Sequence, residues 1–399
     1  MYLKPELIKS RGFGSTAHTV VTDDGYILTL FRMIKPQLTT TTTTGADDGI
    51  VRPSRGPVLL WHGISFSSDI FLVSNRGQLA SNGQYSERNG TLVNDCQLTV
   101  TSNLAFTLSA CGYDVWLGNT RGNQYSDKYI DNSIKNYWNY TFTELGMYDL
   151  KNSIDYIRKF TGKSSVAYVG HSMGTTSMLV LLSLEPDYHQ YVKPVILMAP
   201  IAYLSHTKSL SRLFAPFSYI NVTNTIGFIG EPRPRMQYYG QYICTNPLFS
   251  DLCKQMNFFY NGYDPDSVGP DDVPITVAKS LQYMSVQLPQ QYGQFILSDR
   301  FQRLDLGSTG NWERYGQLMP PDYPIELIRS TYLVLMTGPN DLYATPVDVK
   351  KLTDKLTVKP LDDYLVPNDY YNHADFTNSI DNYKLINPRI LMWLKMLDV

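Results

Sequence analysis

Residues 166–182 have the sequence VAYVGHSMGTTSMLVLL, in which a serine lies between two glycines at the junction of two apolar runs. The first run is short and rich in β-branched and aromatic residues and predicts a buried strand, whereas the second predicts a helix. Glycines at 170 and 174 let the strand and the helix pass closely, and the sharp turn between them exposes the serine hydroxyl. We therefore predict a nucleophile elbow formed by Gly170, His171, Ser172 and Gly174, with Ser172 as the nucleophile.

A serine nucleophile needs a histidine base and a carboxylate that orients the histidine. In sheets with this elbow the acid and then the histidine follow the serine along the chain. Three histidines come after Ser172. His189 lies in a polar segment that indicates a helix end, and His206 directly follows an apolar stretch, so we favour His373 as the base.

The candidate acid follows a second buried strand. The run Thr331–Met336 is β-branched and apolar, and the turn sequence GPND that follows it ends at Asp341. Asp341 is therefore expected at the same sheet edge as Ser172. An aspartate in such a turn is often only a turn former, and a lone loop histidine is often structural. The three residue types in the required order nevertheless favour a catalytic triad.

An oxyanion hole needs two backbone N–H donors. The apolar run from Val58 ends in His62 and Gly63, so the N–H of Ile64 is one candidate donor. The N–H of Met173, the residue after the nucleophile, is the other.

Several segments, in order over nearly the whole chain, carry a family resemblance. They resemble segments of the acid lipases, the group that includes gastric and lysosomal acid lipase, and they comprise Asp23–Leu28, Gly112–Asn123, Glu144–Leu150, Ile154–Ile157, Gly170–Thr176 and Asn372–Phe376. The resemblance implies an α/β-hydrolase fold, with a mostly parallel central sheet flanked by helices and an inserted cap with a lid.

The same resemblance carries the family's triad onto Ser172, Asp341 and His373, and its oxyanion donors onto Ile64 and Met173. It gives no derivable catalytic role to Arg121, for which we expect a place in a tight structural loop. The spacing of Cys244 and Cys253 matches a disulfide of the acid lipases.

The sequence pattern predicts that the chain is divided into three parts. Residues 1–200 alternate short apolar runs with helical segments, which is typical of a mostly parallel sheet, and residues 329–399 resume that core. Residues 201–328 contain aromatic, methionine and proline-rich stretches, for example 214–217, 256–260 and 283–284. We interpret this insertion as a cap over the site. Its aromatic clusters are either ordinary core or the lining of a substrate tunnel.

Composition limits the partners. The 399 residues have a net charge of −2 and show no basic run, which argues against a nucleic-acid partner. No apolar stretch is long enough for a transmembrane helix. The expected partner is a neutral lipid substrate at a lipid–water interface, and the sequence implies no metal, no organic cofactor and no obligate protein partner.

Cysteines and sequons bear on the compartment. We expect a buried thiol at Cys111, and Cys96 is either free or paired unpredictably. Candidate glycosylation sites are Asn89, Asn139 and Asn221. No apolar leader segment precedes Tyr2, and we expect a secreted or lysosomal protein whose leader is missing from this chain.

Two stretches depart from the family pattern. Six threonines at 39–44 and the polar residues 45–49 predict a surface loop. Residues 76–102 form an extra polar segment, expected to be a solvated excursion, although it could also shape access to the oxyanion loop.

The resulting hypothesis is a serine lipase that hydrolyses triacylglycerol or steryl ester through an acyl-enzyme. A carboxylesterase acting on shorter soluble esters would use the same catalytic parts. A lipid-binding protein that kept the fold without turnover is the alternative from a different class.

Overall fold

The computed structural model describes residues 4–36, 53–74, 77–80, 85–87, 101–131, 137–220, 242–246, 248–268, 276, 279–280 and 282–399. These residues form a nine-stranded sheet. Its strands are β1 (Gly14–Val21), β2 (Tyr26–Ile34), β3 (Pro57–Trp61), β6 (Asp114–Leu117), β7 (Lys128–Tyr129), β8 (Val166–His171), β9 (Val192–Met198), β10 (Leu333–Thr337) and β11 (Asp362–Leu365). Two short strands, β4 (Gly77–Leu79) and β5 (Tyr85–Glu87), form a separate antiparallel pair.

The main sheet has the order β1-β2-β6-β3-β8-β9-β10-β11, with β7 paired to β2. Six adjacent strands of this order are parallel to one another, namely β6, β3, β8, β9, β10 and β11. At the other end of the sheet, β2 pairs antiparallel with β6, and β1 pairs antiparallel with β2. In register, Trp61 pairs with Gly170 and His171 pairs with Met198. The strands β3, β8, β9 and β10 therefore end at one edge of the sheet, as expected from the sequence.

Helices flank this sheet. They are α1 (Lys4–Ser10), α2 (Leu104–Ala110), α3 (Phe142–Glu144), α4 (Lys151–Thr161), α5 (Met173–Leu184), α6 (Ser250–Asn261), α7 (Gln287–Ser298), α8 (Gly307–Tyr315), α9 (Pro346–Lys355), α10 (Asp375–Asn378), α11 (Asn382–Leu385) and α12 (Asn387–Met396). A π-helical turn, Leu145–Leu150, joins α3 to α4, and 3₁₀ helices cover Ser68–Phe71, Pro186–Tyr191, Leu210–Tyr219 and Ile325–Leu327. Within the described ranges, no helix combines the length and apolar character needed to cross a bilayer.

The core lies between the helices and the sheet. The strands β3, β6 and β8 are buried along their whole length, because in parallel sheets helices cover both faces. Helix α5 is buried almost throughout, which is why its sequence is apolar on every side rather than amphipathic.

A buried ion-pair cluster joins three of the segments that carry the family resemblance. The guanidinium of Arg121 binds Asp149 at 2.7 Å and Asp24 at 2.6 Å, and it lies 3.7 Å from the ring centre of Tyr26. Arg121 thus has the structural role that we expected, holding the loop after β6 against the start of β2 and the turn before α4.

Residues 85–87 of the extra segment correct our expectation of a solvated excursion, whereas residues 77–80 are half-buried or exposed. Tyr85 is fully buried and its ring stacks on Phe106, while Glu87 accepts hydrogen bonds from the N–H groups of Ser102 and Asn103. Packing of the aromatic ring and pairing of the carboxyl draw this part of the chain onto α2. The remaining residues of 76–102, together with residues 39–49, lie outside the described residues.

A second correction concerns Cys111, which is disulfide-bonded and not a thiol. It directly follows the end of α2 and is nearly buried, a location that a buried thiol would also suit, so burial alone misled the prediction. Cys96 lies outside the described residues. The Cys244–Cys253 disulfide is present, as the resemblance implied.

The strands of the main sheet all fall within residues 14–198 and 333–365. Between them, the described residues of the insertion form the 3₁₀ helices Leu210–Tyr219 and Ile325–Leu327 and the helices α6, α7 and α8. The assignment of 201–328 as a separate cap remains a prediction.

Candidate active site

Three side chains that the sequence singled out lie side by side at the carboxyl edge of the sheet. Nε2 of His373 is 2.8 Å from Oγ of Ser172, and Nδ1 of His373 is 2.8 Å from Oδ2 and 3.0 Å from Oδ1 of Asp341. All three residues are buried. Because the carboxylate can only accept a hydrogen bond, Nδ1 must donate it and therefore carries the ring proton. Nε2 is then free to accept the serine proton.

The backbone at Ser172 explains the glycines around it. Ser172 has φ 54° and ψ −116° between the end of β8 and the start of α5, a strained conformation for a residue with a side chain. A Cβ at Gly174 would lie 2.7 Å from the carbonyl oxygen of Trp61, and one at Gly170 would lie 2.6 Å from the Tyr168 ring. The turn can therefore form only if both positions lack a side chain.

The turn after β10 orients Asp341. Its N–H donates to the carbonyl of Gly338, and its Oδ1 accepts from the N–H groups of Tyr343 and Ala344, both at 2.8 Å. Backbone donors and the His373 ring thus hold the carboxylate, and Asp341 is both a turn former and the partner of the histidine.

The two expected oxyanion donors flank the serine. Ile64 lines the same cavity as Ser172, and Met173 is the first residue of α5, where a helix leaves its N–H groups without acceptors in the helix. A Cβ added at Gly63 would lie 3.2 Å from Cβ of Ser172, so the loop that carries Ile64 passes directly beside Ser172.

His62 is a site residue for which the sequence suggested no role. Its Nδ1 lies 2.8 Å from the carbonyl oxygen of Gly63, and its Nε2 lies 3.2 Å from the N–H of Thr120. Nε2 therefore accepts and Nδ1 donates, which holds the peptide that carries the Ile64 N–H. The sequence feature that could have pointed to this role is the position of His62 directly after a buried strand.

His171, in the elbow, stays uncharged. Its Nε2 lies 2.9 Å from the carbonyl oxygen of His373, so this nitrogen donates a hydrogen bond to the backbone of His373. Burial, and then the neighbouring His373, lowers the pKa of His171 to about 3. A second positive charge therefore does not form beside the imidazolium that a triad creates during turnover.

A cavity of about 540 Å³ opens onto the serine. Its wall combines residues at the sheet edge with residues of the insertion, and it includes Ile64, Phe66, Ser172, Ile201, Leu252, Met256, Tyr260, Tyr292 and His373. This volume falls in the range of small-molecule sites. The mainly apolar wall suits an acyl chain.

The aromatic and methionine clusters of the insertion divide between the two interpretations left open by the sequence. Met256 and Tyr260 line the cavity, whereas Met284 packs against the core. Phe214 and Phe217 are 59% and 60% exposed, so they belong to neither class.

Of the candidate glycosylation sites, Asn139 is described. The residue is exposed and its Oδ1 accepts a hydrogen bond from Gln287 at 2.8 Å. Asn89 and Asn221 lie outside the described residues, and glycosylation stays a prediction.

Comparison with known proteins identifies the family. A family model described as a partial α/β-hydrolase lipase region matches residues 4–75, and one described as the α/β-hydrolase fold matches residues 56–218. The chain is 33% identical to Lipase 3 of Drosophila melanogaster over 398 residues, covering 97% of this chain and 91% of that protein. It is 30% identical to gastric triacylglycerol lipase of Homo sapiens over 382 residues, covering 94% of this chain and 86% of that protein.

A solved structure from Sulfolobus solfataricus aligns with 96% of this chain and 99% of its own, with a TM-score of 0.52 and 15% identity. That likeness shows the fold alone and confirms the expected α/β-hydrolase architecture. Since a relative above 30% identity spans nearly its whole length, the chain belongs to the acid lipase family of the α/β-hydrolase superfamily and is a carboxylic ester hydrolase.

Proposed function

We propose that Ser172, His373 and Asp341 form the catalytic triad of a lipase. His373 takes the proton of Ser172 as Oγ attacks the ester carbonyl, and Asp341 stabilises the imidazolium. The N–H groups of Ile64 and Met173 bind the oxyanion. The imidazolium then protonates the leaving alcohol, which departs and leaves an acyl-enzyme.

Water completes the cycle. His373 takes a proton from the water, whose oxygen attacks the acyl carbon, and the proton returns to Ser172 as the fatty acid leaves. The observation that carries this proposal is the buried relay of contacts at 2.8 Å from Oγ to Nε2 and from Nδ1 to the carboxylate.

The proposed substrates are neutral lipid esters, triacylglycerol or steryl ester. Each buried methylene contributes about 0.8 kcal/mol, so an apolar cavity beside the serine favours long acyl chains. Exposed apolar side chains on the insertion support contact with a lipid surface, among them Phe214, Phe217, Leu248 and Phe259. The name of the human relative, a gastric triacylglycerol lipase, favours triacylglycerol.

We also propose that the protein is secreted or lysosomal. The Cys244–Cys253 disulfide and the disulfide-bonded Cys111 suit an oxidising compartment. The exposed Asn139 sequon fits the same route, and the gastric relative points in the same direction.

The test compares Ser172→Ala with Ser183→Ala, a matched change at a buried serine farther along α5. We expect Ser172→Ala to lose about 10⁶-fold in kcat and all labelling by a fluorophosphonate probe, whereas Ser183→Ala keeps both. Wild-type protein should prefer emulsified triolein or cholesteryl oleate to soluble p-nitrophenyl butyrate. Preference for the butyrate would instead indicate a carboxylesterase, and absence of labelling in the wild type would indicate a lipid carrier.

A further inference from the structure

The chain that leaves α6 joins the two loops that carry the acid and the histidine of the proposed triad. The carbonyl oxygen of Asn261 accepts from the N–H of Leu342 at 3.3 Å and from the N–H of His373 at 3.2 Å. The carbonyl oxygen of Gly262 accepts from Nδ2 of Asn372 at 3.0 Å. The relative placement of the two loops therefore depends on residues that directly continue a helix of the cavity wall.

This junction is tightly packed. Gly262 has φ 123°, and a Cβ there would lie 2.2 Å from the carbonyl oxygen of Asn340 and 2.8 Å from Cβ of Asn372. Nδ2 of Asn340 donates to the carbonyl of Tyr263 at 2.8 Å, and the N–H of Ile380 donates to the carbonyl of Ser267 at 2.8 Å. A small shift of the segment Asn261–Ser267 would consequently be transmitted to the loops.

Two buried carboxyl groups meet at the same junction. Asp375, two residues after the triad histidine, is fully buried, and its Oδ2 accepts from the N–H of Asn372 at 2.6 Å. Asp264, in the segment from the insertion, is 7% exposed, and a hydrogen bond between its carboxyl group and that of Asp375 contributes to the pKa of both groups. Within the described residues, Oδ1 of Asp375 has no fixed hydrogen-bond donor.

Two ionised carboxylates cannot hydrogen-bond to each other, because neither has a proton to donate. A proton on Asp264 would supply the donor that Oδ1 of Asp375 needs. The hydroxyl of Ser267 lies 3.3 Å from the carbonyl oxygen of Asp264, and its hydrogen bond to the Asp375 carboxyl group lowers the pKa of that group, against the effect of burial.

Electrostatics agree with a proton held at this place. Burial raises the pKa of both carboxyl groups above their ordinary value of 3.8, and the charge of Asp264 raises that of Asp375 further. The other titratable groups facing the pair are Asp266, Asp381 and the buried Tyr371. The ammonium group of Lys384 binds Asp381 at 2.8 Å.

We propose that Asp264 and Asp375 share one proton and thereby position the His373 loop against the segment Asn261–Ser267. This proposal rests on the proposed function, since it takes His373 as the base. While the proton is present, a hydrogen bond joins the two elements. As pH rises and the proton leaves, two negative charges repel each other two residues from His373, and the alignment of His373 with Ser172 is lost.

The kinetic consequence is an alkaline loss of kcat. The alkaline side of the pH profile reports loss of the shared proton. We expect kcat to fall more than KM changes, because the pair acts on the loop that carries the proposed base.

The experiment measures kcat from about pH 4 to about pH 9 with soluble p-nitrophenyl butyrate, which avoids lipid-surface effects. Asp264→Asn supplies an amide donor at every pH, and Asp375→Asn supplies one from the other side. In either variant, the ratio of kcat at about pH 8 to kcat at about pH 6 should exceed the wild-type ratio by about fivefold. Active sites are counted by fluorophosphonate labelling.

Asp381→Asn is the matched control. It removes a neighbouring negative charge without supplying a donor, so the pair releases its proton more readily and the alkaline fall moves to lower pH. A general effect of net charge would instead move Asp264→Asn and Asp381→Asn in the same direction.

The proposal is wrong if wild-type kcat stays level from about pH 6 to about pH 9, a result that needs no variant to fold. It is also wrong if the alkaline falls of Asp264→Asn and Asp375→Asn coincide with that of the wild type. If Ser172→Ala is inactive in either case, the triad stands and only the shared proton is rejected. If Ser172→Ala retains turnover, the proposed function itself fails.

Discussion

Replacing Arg121 with methionine should destabilise the fold strongly, although Arg121 touches no reacting group. Its side chain is 1% exposed and binds Asp149, which is fully buried, and Asp24, which is 24% exposed. Removing one partner of a buried ion pair costs about 3–5 kcal/mol, because the other charge stays buried. Most of this loss should come from Asp149, since solvent screens the more exposed Asp24.

The destabilisation should depend on pH. Burial already raises the pKa of Asp149 to about 6 with Arg121 beside it, and removal of the guanidinium raises it further. A raised pKa makes the folded protein hold a proton that the unfolded chain releases, so stability is greater at low pH and falls as pH rises. The variant therefore loses less stability at about pH 5 than at about pH 8.

Urea unfolding followed by tryptophan fluorescence at both pH values measures these differences. Arg329→Met is the control, because Arg329 is 62% exposed in its pair with Asp187 and should change stability by less than about 1 kcal/mol. Adding Asp149→Asn to Arg121→Met should recover part of the loss at the higher pH. A loss below about 1 kcal/mol in Arg121→Met, or one equal at the two pH values, would contradict this account.

Three further changes test the site. In Gly63→Ala, the added Cβ would lie 3.2 Å from Cβ of Ser172 and 3.3 Å from Nδ1 of His171. We therefore expect kcat/KM to fall about 10- to 100-fold, with little change in the urea midpoint. A variant with wild-type kinetics would refute this prediction. Met256→Trp fills the cavity wall and should lower kcat/KM for long acyl esters relative to butyrate about tenfold, whereas Met396→Trp, at an exposed position, should not. Burial lowers the pKa of His171 to about 3. Between about pH 6.5 and about pH 3, the unfolded chain therefore binds a proton that the folded protein excludes. The free energy of unfolding should fall on acidification by up to about 1.4 kcal/mol per pH unit in this range. Urea midpoints of His171→Gln should depend less on pH in that range, and an equal slope would contradict the assignment.

Local patterns in the chain were enough to predict the parts of the site that end strands. Val166–His171 and Leu333–Thr337 are buried strands of a parallel sheet, and parallel strands bring their carboxyl ends to one edge. Ser172 and Asp341 follow directly from that rule. His373 followed from the order of residue types along the chain, and the family resemblance pointed to the same positions.

Contacts between distant segments were not predictable in this way. The carbonyl of Asn261 accepts hydrogen bonds from both loops of the proposed triad, and the ring of Tyr85 is buried on Phe106. Met256 and Met284 have different environments although both lie in similar apolar clusters of the sequence. A hydrogen bond or a packed ring between residues far apart in the chain leaves no periodic pattern in either segment.

The amino-acid order alone thus established the elbow, the strand ends and the triad candidates, because each depends on neighbours within a few residues or on the direction of parallel strands. Folding in three dimensions added what depends on burial and distance: the lowered pKa of His171, the ion pairs around Arg121, and the burial of Asp264 and Asp375. The reason is that electrostatic free energies depend on solvent exclusion and separation in space, and neither quantity is encoded in the spacing of residues along the chain.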